Sequence, residues 1–356
     1  MEKVRIGLIG VGNVARLHAR GYKESPNAEL YALCDVNEET LQRRMEEWSA
    51  KKAYADYNEL LADPGVDAVE VITPHHLHAP IGVAALDAGK HLSMQKPMAI
   101  SVEECDALIA AAHRSGRIFR VFENFRYYPP LLRAKALLDS GAIGEPLSLR
   151  MKAFQGNMGK DWKIPYDRWS WRFDPKRGGG GRIALDYGYH MFSIAIWLLG
   201  DVEKIFSWIT YRRIQYDWLL DSPMMVIWKY KNAEKYGSFD MVTSDDLLVQ
   251  GKYVPEDEWF EITGSQGLIW INRCTSALLD RPPVVMYRDG VTTEYSDMDT
   301  DWVASFLAGT HDFATAIREK RQPSMTGEEG KKVFQFCRAV ELSAKEKREV
   351  ILDDVR

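Results

Sequence analysis

Val4-Arg5-Ile6-Gly7-Leu8-Ile9-Gly10-Val11-Gly12-Asn13-Val14-Ala15 is the stretch on which the reading of this chain turns. A short, nearly continuous apolar run ends in Gly10, and the residues after Ala15 carry a helical pattern. A run of this kind reads as a strand buried on both faces. The loop after it has the form G-x-G-x-x-A. In that pattern Gly10 permits a tight turn, Gly12 lets the backbone approach a pyrophosphate, and Ala15 is small enough for close helix–strand packing. The helix N-terminus favours the phosphate charge. Such a loop is weak evidence alone. Its weight comes from the second apolar run, Glu29–Cys34, which ends in Asp35 at about the distance expected of a ribose-binding acid. That carboxylate accepts ribose hydroxyls and repels a 2′-phosphate. Val36 and Asn37 add no positive charge, and Arg43 and Arg44 read as solvated. NAD is therefore expected over NADP. The plainer reading of Asp35 is a cap on the helix that starts near Glu38.

Outward from this loop, short β-rich runs alternate with helical stretches. Val4–Ile9, Glu29–Cys34, Ala68–Ile72, His91–Met94 and Ile118–Phe122 read as strands. Helices are expected over about 13–24, 38–50, 77–88 and 101–115. Alternation of this kind predicts a parallel, doubly wound sheet over residues 1–123. The pattern then changes. A helix around 129–139 and a break at Gly144-Glu145-Pro146 lead into a loop-rich aromatic stretch with Trp162, Tyr166, Trp169 and Trp171. A helix is expected over 184–199. Strands follow at about 202–212, 224–230, 236–242, 258–263, 268–273 and 283–296, without helices between them. Two helices, about 301–319 and 327–345, close the chain. Residues 124–356 are thus expected to form a second, α+β domain on a mostly antiparallel sheet.

Composition narrows the classes. The chain has 356 residues, 46% hydrophobic and 27% charged, which is ordinary for a globular protein. Lys and Arg number 46 and Asp and Glu 51, a net charge of −5 with no basic footprint for nucleic acid. Cys34, Cys105, Cys274 and Cys337 form no CxxC pair and read as free thiols. No apolar stretch approaches the roughly 20 residues that span a bilayer. The expectation is a soluble cytoplasmic protein that binds neither nucleic acid nor membrane.

Two further constellations bear on chemistry. Gln95-Lys96-Pro97 follows the strand His91–Met94, at the carboxyl edge where a doubly wound sheet places its ligands. A lysine there can act as a base or a polarising donor, although a Lys-Pro dipeptide in a loop is more often surface. Asp186 and His190 are spaced i,i+4 and share one face of a regular helix. Histidine is the usual proton carrier near neutral pH. A structural Asp–His pair is the bland alternative. His75, His76 and His78 crowd four residues, but a zinc site needs three or four convergent ligands, so no metal is expected.

These motifs, in this order, resemble the glucose–fructose oxidoreductase / inositol dehydrogenase (Gfo/Idh/MocA) family over essentially the whole chain. The matching signatures are Gly10-x-Gly12-x-x-Ala15 with His18, Thr73-Pro74-His75-His76-Leu77-His78, and Ala88-Gly89-Lys90-His91. Lys96-Pro97, Glu123-Asn124-Phe125-Arg126, Gly141-x-x-Gly144-Glu145-Pro146 and Asp186-x-Gly188-x-His190 complete the set. The resemblance implies a Rossmann domain followed by a domain with a large, open-faced sheet that often builds dimers or tetramers. It implies an NAD(P)-dependent dehydrogenase or reductase acting on a secondary alcohol of a sugar, cyclitol or related polyol. Carried over, Lys96 is the catalytic lysine, His190 the proton donor or acceptor, and Asp186 its companion in holding substrate hydroxyls. Gly10, Gly12, Asn13, Val14, Asp35, Thr73, Pro74, His75, His78, Gln95, Lys96 and Asn124 are expected around the cofactor. Arg126, Tyr128, Trp169 and Arg172 are expected around the substrate, with Lys96, Asp186 and His190. One departure stands out: Gln95 replaces the family's usual Glu, so the charge near the lysine differs. Rival readings are a sugar–sugar oxidoreductase that retains its cofactor, a redox-neutral lyase or hydrolase, and a non-catalytic ligand sensor.

Overall fold

A computed structural model describes residues 2–159, 169–214 and 217–356. Trp162 and Tyr166 lie outside the described residues. The chain divides into two compact units. The first comprises residues 1–124, 176–179 and 305–334, and the second comprises 125–175, 180–304 and 335–356.

In the first unit, β1 (Val4–Ile9), β2 (Ala28–Cys34), β3 (Lys52–Tyr54), β4 (Ala68–Val71), β5 (His91–Gln95) and β6 (Phe119–Phe122) form one parallel sheet. Its order is β3-β2-β1-β4-β5-β6. Helices α1 (Ala15–Glu24), α2 (Glu38–Trp48), α3 (Tyr57–Ala62), α4 (His78–Asp87) and α5 (Val102–Ser115) make the crossovers. Strand order reverses between β1 and β4, and a ligand of such a sheet sits at that switch point. Local sequence sets the helix ends. Asn37 caps α2 by accepting from Thr40 N at 2.7 Å. Ser101 caps α5 by accepting from Glu104 N, while Glu104 Oε2 accepts from Ile100 N. Ile6, Leu8, Ala15, Ala19, Tyr22 and Phe313 pack in the core. The strand β3 and the helix α3 are absent from the sequence expectation. Three and six residues are too short to display a period, and only the Asp56 cap on Asn58 N marks the start of α3.

The second unit is built on a nine-stranded sheet of order β14-β13-β12-β11-β7-β10-β9-β8-β15. Its strands are β7 (Pro146–Gly159), β8 (Val202–Arg213), β9 (Leu219–Tyr230), β10 (Tyr236–Gly251) and β11 (Glu256–Gly264). β12 (Gly267–Ile271), β13 (Val284–Arg288), β14 (Val291–Tyr295) and β15 (Val350–Ile351) complete it. Among the described residues, only β7 and β10 of this sheet pair in parallel, and the remaining ladders are antiparallel. The helix Gly188–Leu199 covers one face, where Phe192 packs on Phe239 and Phe336.

Two expectations need correction here. The stretch after Pro146 is not loop: it opens with β7, a strand in the middle of the sheet. Buried Leu149, Met151 and Ala153 alternate with Ser148, Arg150 and Lys152, the period of a half-buried strand. The run 283–296 is a hairpin, not one strand. It turns at Asp289 and Gly290, both at positive φ (51° and 80°), as a type I′ turn requires. The four cysteines are buried and free. Among the described residues no helix is long and apolar enough to cross a membrane.

Candidate active site

The first unit builds a cradle at its switch point. Gly10 has φ +89°, and a Cβ there would lie 2.6 Å from the Ile72 carbonyl oxygen at the end of β4. A Cβ on Gly12 would meet nothing within 4 Å among the described residues. Ala15, fully buried, opens α1, and no side chain caps that N-terminus nor does an acid stand in its first turn. The helix end therefore turns its positive dipole toward the loop that holds Gly12. Thr73 Oγ1 is buried at the same edge with no hydrogen-bond partner among the described residues. A dinucleotide pyrophosphate fits this set: an open seat, a helix N-terminus and an orphaned hydroxyl.

Asp35 closes the other side. Its Oδ2 accepts from Val11 N and its Oδ1 from Asn37 N, both at 2.9 Å. Arg44 departs from its expected solvated role. It is buried, its Nε donates to Val11 O at 3.3 Å, and its guanidinium lies 5.1 Å from the Trp48 ring. Position 44 falls on the inward side of α2, a placement its i,i+4 spacing from Trp48 already contained.

The histidines diverge. His75 Nδ1 lies 2.9 Å from Gly178 O. His78 is fully buried, with Nδ1 2.8 Å from Pro97 O and Nε2 2.9 Å from Thr73 O, and burial pushes it down to about 4. It ties the Thr73 loop to the Lys96–Pro97 turn from behind. Among the described residues, no three His, Cys, Asp or Glu side chains are grouped to hold a metal. Asn124 is buried and donates to Ser305 Oγ at 3.0 Å. Lys96 is half-buried, and its backbone N–H donates to Gln95 Oε1 at 2.8 Å.

The second unit carries the other residues. Arg182–Tyr187 is a wide π turn, with Asp186 N donating five residues back to Gly181 O, and the α-helix begins at Gly188. The expected continuous helix over 184–199 is thus interrupted. Asp186 belongs to the π turn and His190 to the α-helix, so the i,i+4 rule of a regular helix does not set their relative direction. The turn is pinned by Asp221 of β9, which accepts from Ile183 N (2.9 Å) and Ala184 N (2.7 Å). Glu341 accepts from Gly181 N at 2.6 Å. Tyr187 donates to buried Glu258 at 2.7 Å.

Asp186 is paired with Arg172 at 3.1 Å and with Arg182 at 3.5 Å. The sequence reading missed Arg182, although its place four residues before Asp186 was a usable signal. Arg172 also stacks on Trp171, 4.4 Å from its ring. His190 packs on Phe125 at 4.7 Å. Arg126 is buried and donates to Ser193 at 3.0 Å, on the same helix as His190. Trp169 lies against Phe173. Tyr128 is set apart: it is fully buried, and its hydroxyl donates to Thr300 O at 2.9 Å.

Residues 4–123 match the family model described as "oxidoreductase family, NAD-binding Rossmann fold", and residues 131–270 match the GFO/IDH/MocA C-terminal domain. The chain belongs to the Gfo/Idh/MocA family. Its Gfo/Idh/MocA relatives include the myo-inositol 2-dehydrogenase of Thermotoga maritima, 28% identical over 99% of both chains. The levoglucosan dehydrogenase of Pseudarthrobacter phenanthrenivorans is 30% identical over 60% of this chain and 57% of that protein. A solved probable dehydrogenase from Thermotoga maritima matches with a TM-score of 0.81 at 26% identity, covering 99% of this chain and 100% of that one. The protein is accordingly an NAD-binding oxidoreductase, and the cradle around Gly12 is the part of this chain that fits the cofactor.

Proposed function

We propose that the protein is an NAD-dependent dehydrogenase that oxidises a secondary alcohol of a sugar, cyclitol or related polyol, or reduces the matching ketone. The observation that carries this reading is the full-length likeness to a protein named for myo-inositol, joined by a second relative named for levoglucosan. Both names denote ring compounds rich in hydroxyl groups. NAD, when bound, supplies the hydride acceptor. The chain's own residues handle binding and protons. Lys96 Nζ or the His190 imidazole takes the hydroxyl proton during oxidation and returns it during reduction. Asp186, held by Arg172 and Arg182, accepts from a neighbouring substrate hydroxyl and fixes which carbon is presented. Trp169, Arg172 and Arg126 complete the substrate side. The four buried free thiols support a cytoplasmic location.

We further propose a homodimer or homotetramer formed through the open face of the second sheet. Trp208 (58% exposed) and Met225 (39%) are direct cross-strand neighbours on that face, with Ile227 (44%) and Val242 (45%) nearby. Contiguous apolar surface of this kind marks an interaction site.

The test is a turnover screen of sugars, inositols and sugar acids with NAD and NADP, followed by variants. Lys96→Ala and His190→Ala should each lower kcat by about 10²–10⁴-fold while leaving NAD affinity nearly intact. The double variant should lose far less than the product, because groups acting as a unit are not additive. Absence of turnover on every polyol, or wild-type kcat in either variant, would overturn the corresponding part of the reading.

A further inference from the structure

A buried polar row crosses the floor of the first unit. Glu70 of β4, Ser93 of β5 and Arg120 of β6 stand directly opposite one another in register. All three are fully buried. Ser93 Oγ donates to Glu70 Oε1 at 2.8 Å and accepts from Arg120 Nε at 3.0 Å. Arg120 Nη2 lies 4.0 Å from Glu70 Oε1, so the carboxylate has its countercharge within the row. Helix α1 lays His18, also fully buried, across one end of it. His18 Nδ1 is 3.1 Å from Glu70 Oε2, and His18 Nε2 is 3.0 Å from Gln95 Nε2. The rings of Phe122 and Phe306 enclose the imidazole at 4.4 and 5.1 Å.

Donor and acceptor counting sets the state of this histidine. Gln95 Oε1 already accepts the backbone N–H of Lys96, so the amide nitrogen faces His18. An amide nitrogen only donates, so His18 Nε2 accepts and carries no proton. A neutral imidazole that accepts at Nε2 keeps its proton on Nδ1, the nitrogen 3.1 Å from the Glu70 carboxylate. The Gln95 contact thus sets the form, a neutral imidazole with its proton on Nδ1, and the nearby Glu70 carboxylate favours the proton on that side. Glu70 and Arg120 already balance, and an imidazolium would leave a net positive charge in a dry site.

We propose that His18 is a positioning residue: as the neutral Nδ1–H tautomer it orients the Gln95 amide, and that amide holds the peptide N–H of Lys96. A flipped Gln95 would turn its own N–H groups toward the Lys96 N–H and lose both contacts. The residue at position 95 in turn dictates the protonation of His18. A glutamate there would place a second acceptor against Nε2 and require both ring nitrogens to donate, turning His18 into an imidazolium. The charge difference carried by Gln95 is therefore felt first at His18, one contact removed from the Lys96 side chain. This inference rests on the assignment of Lys96 to proton transfer, and its test separates the two.

The experiment is ¹⁵N NMR of histidine-labelled protein without cofactor at neutral pH, with the His18 signals identified by their loss in His18→Asn. The wild type should show His18 neutral with the proton on Nδ1. Gln95→Glu should show both nitrogens protonated. An imidazolium or an Nε2–H tautomer in the wild type, or a neutral His18 in Gln95→Glu, would overturn the proposal. The functional arm compares kcat and NAD affinity. Gln95→Leu removes both contacts at similar volume and should lower kcat at least tenfold, since a misplacement of about 1 Å can cost roughly 10²-fold. NAD affinity should stay within about threefold, a change worth less than ~1 kcal/mol. Gln95→Glu keeps an oxygen opposite the Lys96 N–H and should restore turnover; failure to do so, or wild-type kcat in Gln95→Leu, refutes the positioning role. If Lys96→Ala retains turnover while the tautomers are as stated, the lysine assignment falls and the His18 state stands.

Discussion

Gly10 and Gly12 lie two residues apart in one loop, and replacing each by alanine should have opposite consequences. At Gly10 the backbone has φ +89°, and the new methyl would sit 2.6 Å from the Ile72 carbonyl oxygen and 2.8 Å from its carbon. The left-handed conformation costs a non-glycine residue about 1–2 kcal/mol. The clash is with the backbone of a buried neighbouring strand, which cannot rotate away, and such local strain adds about 1–3 kcal/mol. Gly10→Ala should therefore lose about 2–5 kcal/mol of stability. Gly12 is not among the glycines at positive φ, and its methyl would meet nothing within 4 Å. Gly12→Ala should unfold like the wild type or up to about 1 kcal/mol later, through reduced freedom of the unfolded chain. With the pyrophosphate seated at this loop, as we propose, the methyl would occupy its space, so NADH affinity should fall at least tenfold, about 1.4 kcal/mol. Urea unfolding and titration calorimetry with NADH measure the two quantities on the same samples. Undiminished NADH affinity in Gly12→Ala would refute the placement of the cofactor on this loop. A fully stable Gly10→Ala would refute the argument from Ile72.

Asp35→Ser with Val36→Arg should move preference toward NADP, because it removes the carboxylate and puts a cation on a side chain that is 90% exposed; comparison of dissociation constants for both cofactors checks it. Burial, reinforced by Glu256 and Asp257, pushes Glu258 up to about 8. Its contribution is full below the ordinary carboxylate value and is lost as pH rises through about 8, so stability should fall across that window by up to about 1.4 kcal/mol per pH unit. Glu258→Gln should flatten that slope, and identical slopes for both proteins would count against a protonated carboxyl beside Tyr187. Trp208→Glu should dissociate the assembly in sedimentation velocity, and a monomeric wild type would remove the open sheet face from consideration as an interface.

Much of the first unit was readable because its motifs are geometric demands. A strand end, a glycine at positive φ and a helix start leave little choice of residues: Ile9 ends β1, Gly10 takes the positive φ, and Ala15 opens α1. The place of Asp35 was readable for the same reason, since it follows a strand that lies beside β1 and its carboxylate meets Val11 N of the glycine loop. Arg44 was misjudged because exposure depends on which side of α2 faces the loop, and the stacking partner Trp48 was not weighed. The second unit was less legible. The alternation in β7 was present but short, and the aromatic run after it drew the reading toward loop. The π turn leaves no period to detect, because it shifts the helical phase by one residue within a single turn. The row Glu70–Ser93–Arg120 was hidden for a different reason. Each member interrupts its own apolar strand once, and only the register between strands shows the three to be one object.

That row is sealed from above by a late part of the chain. Arg120 Nη1 donates to Gly309 O at 2.6 Å, and its guanidinium lies 4.6 Å from the Phe313 ring. Gly327 comes so close to Phe119 that a Cβ there would approach its ring to 2.5 Å. A fragment ending at Asn124 would expose a buried guanidinium and strip its apolar cover, even though it holds every strand of the parallel sheet. The nucleotide-binding half is therefore not a cassette that can be cut from the gene and fused elsewhere. A recombination that exchanges it between relatives must carry residues 305–334 along, which couples the inheritance of two distant stretches of coding sequence.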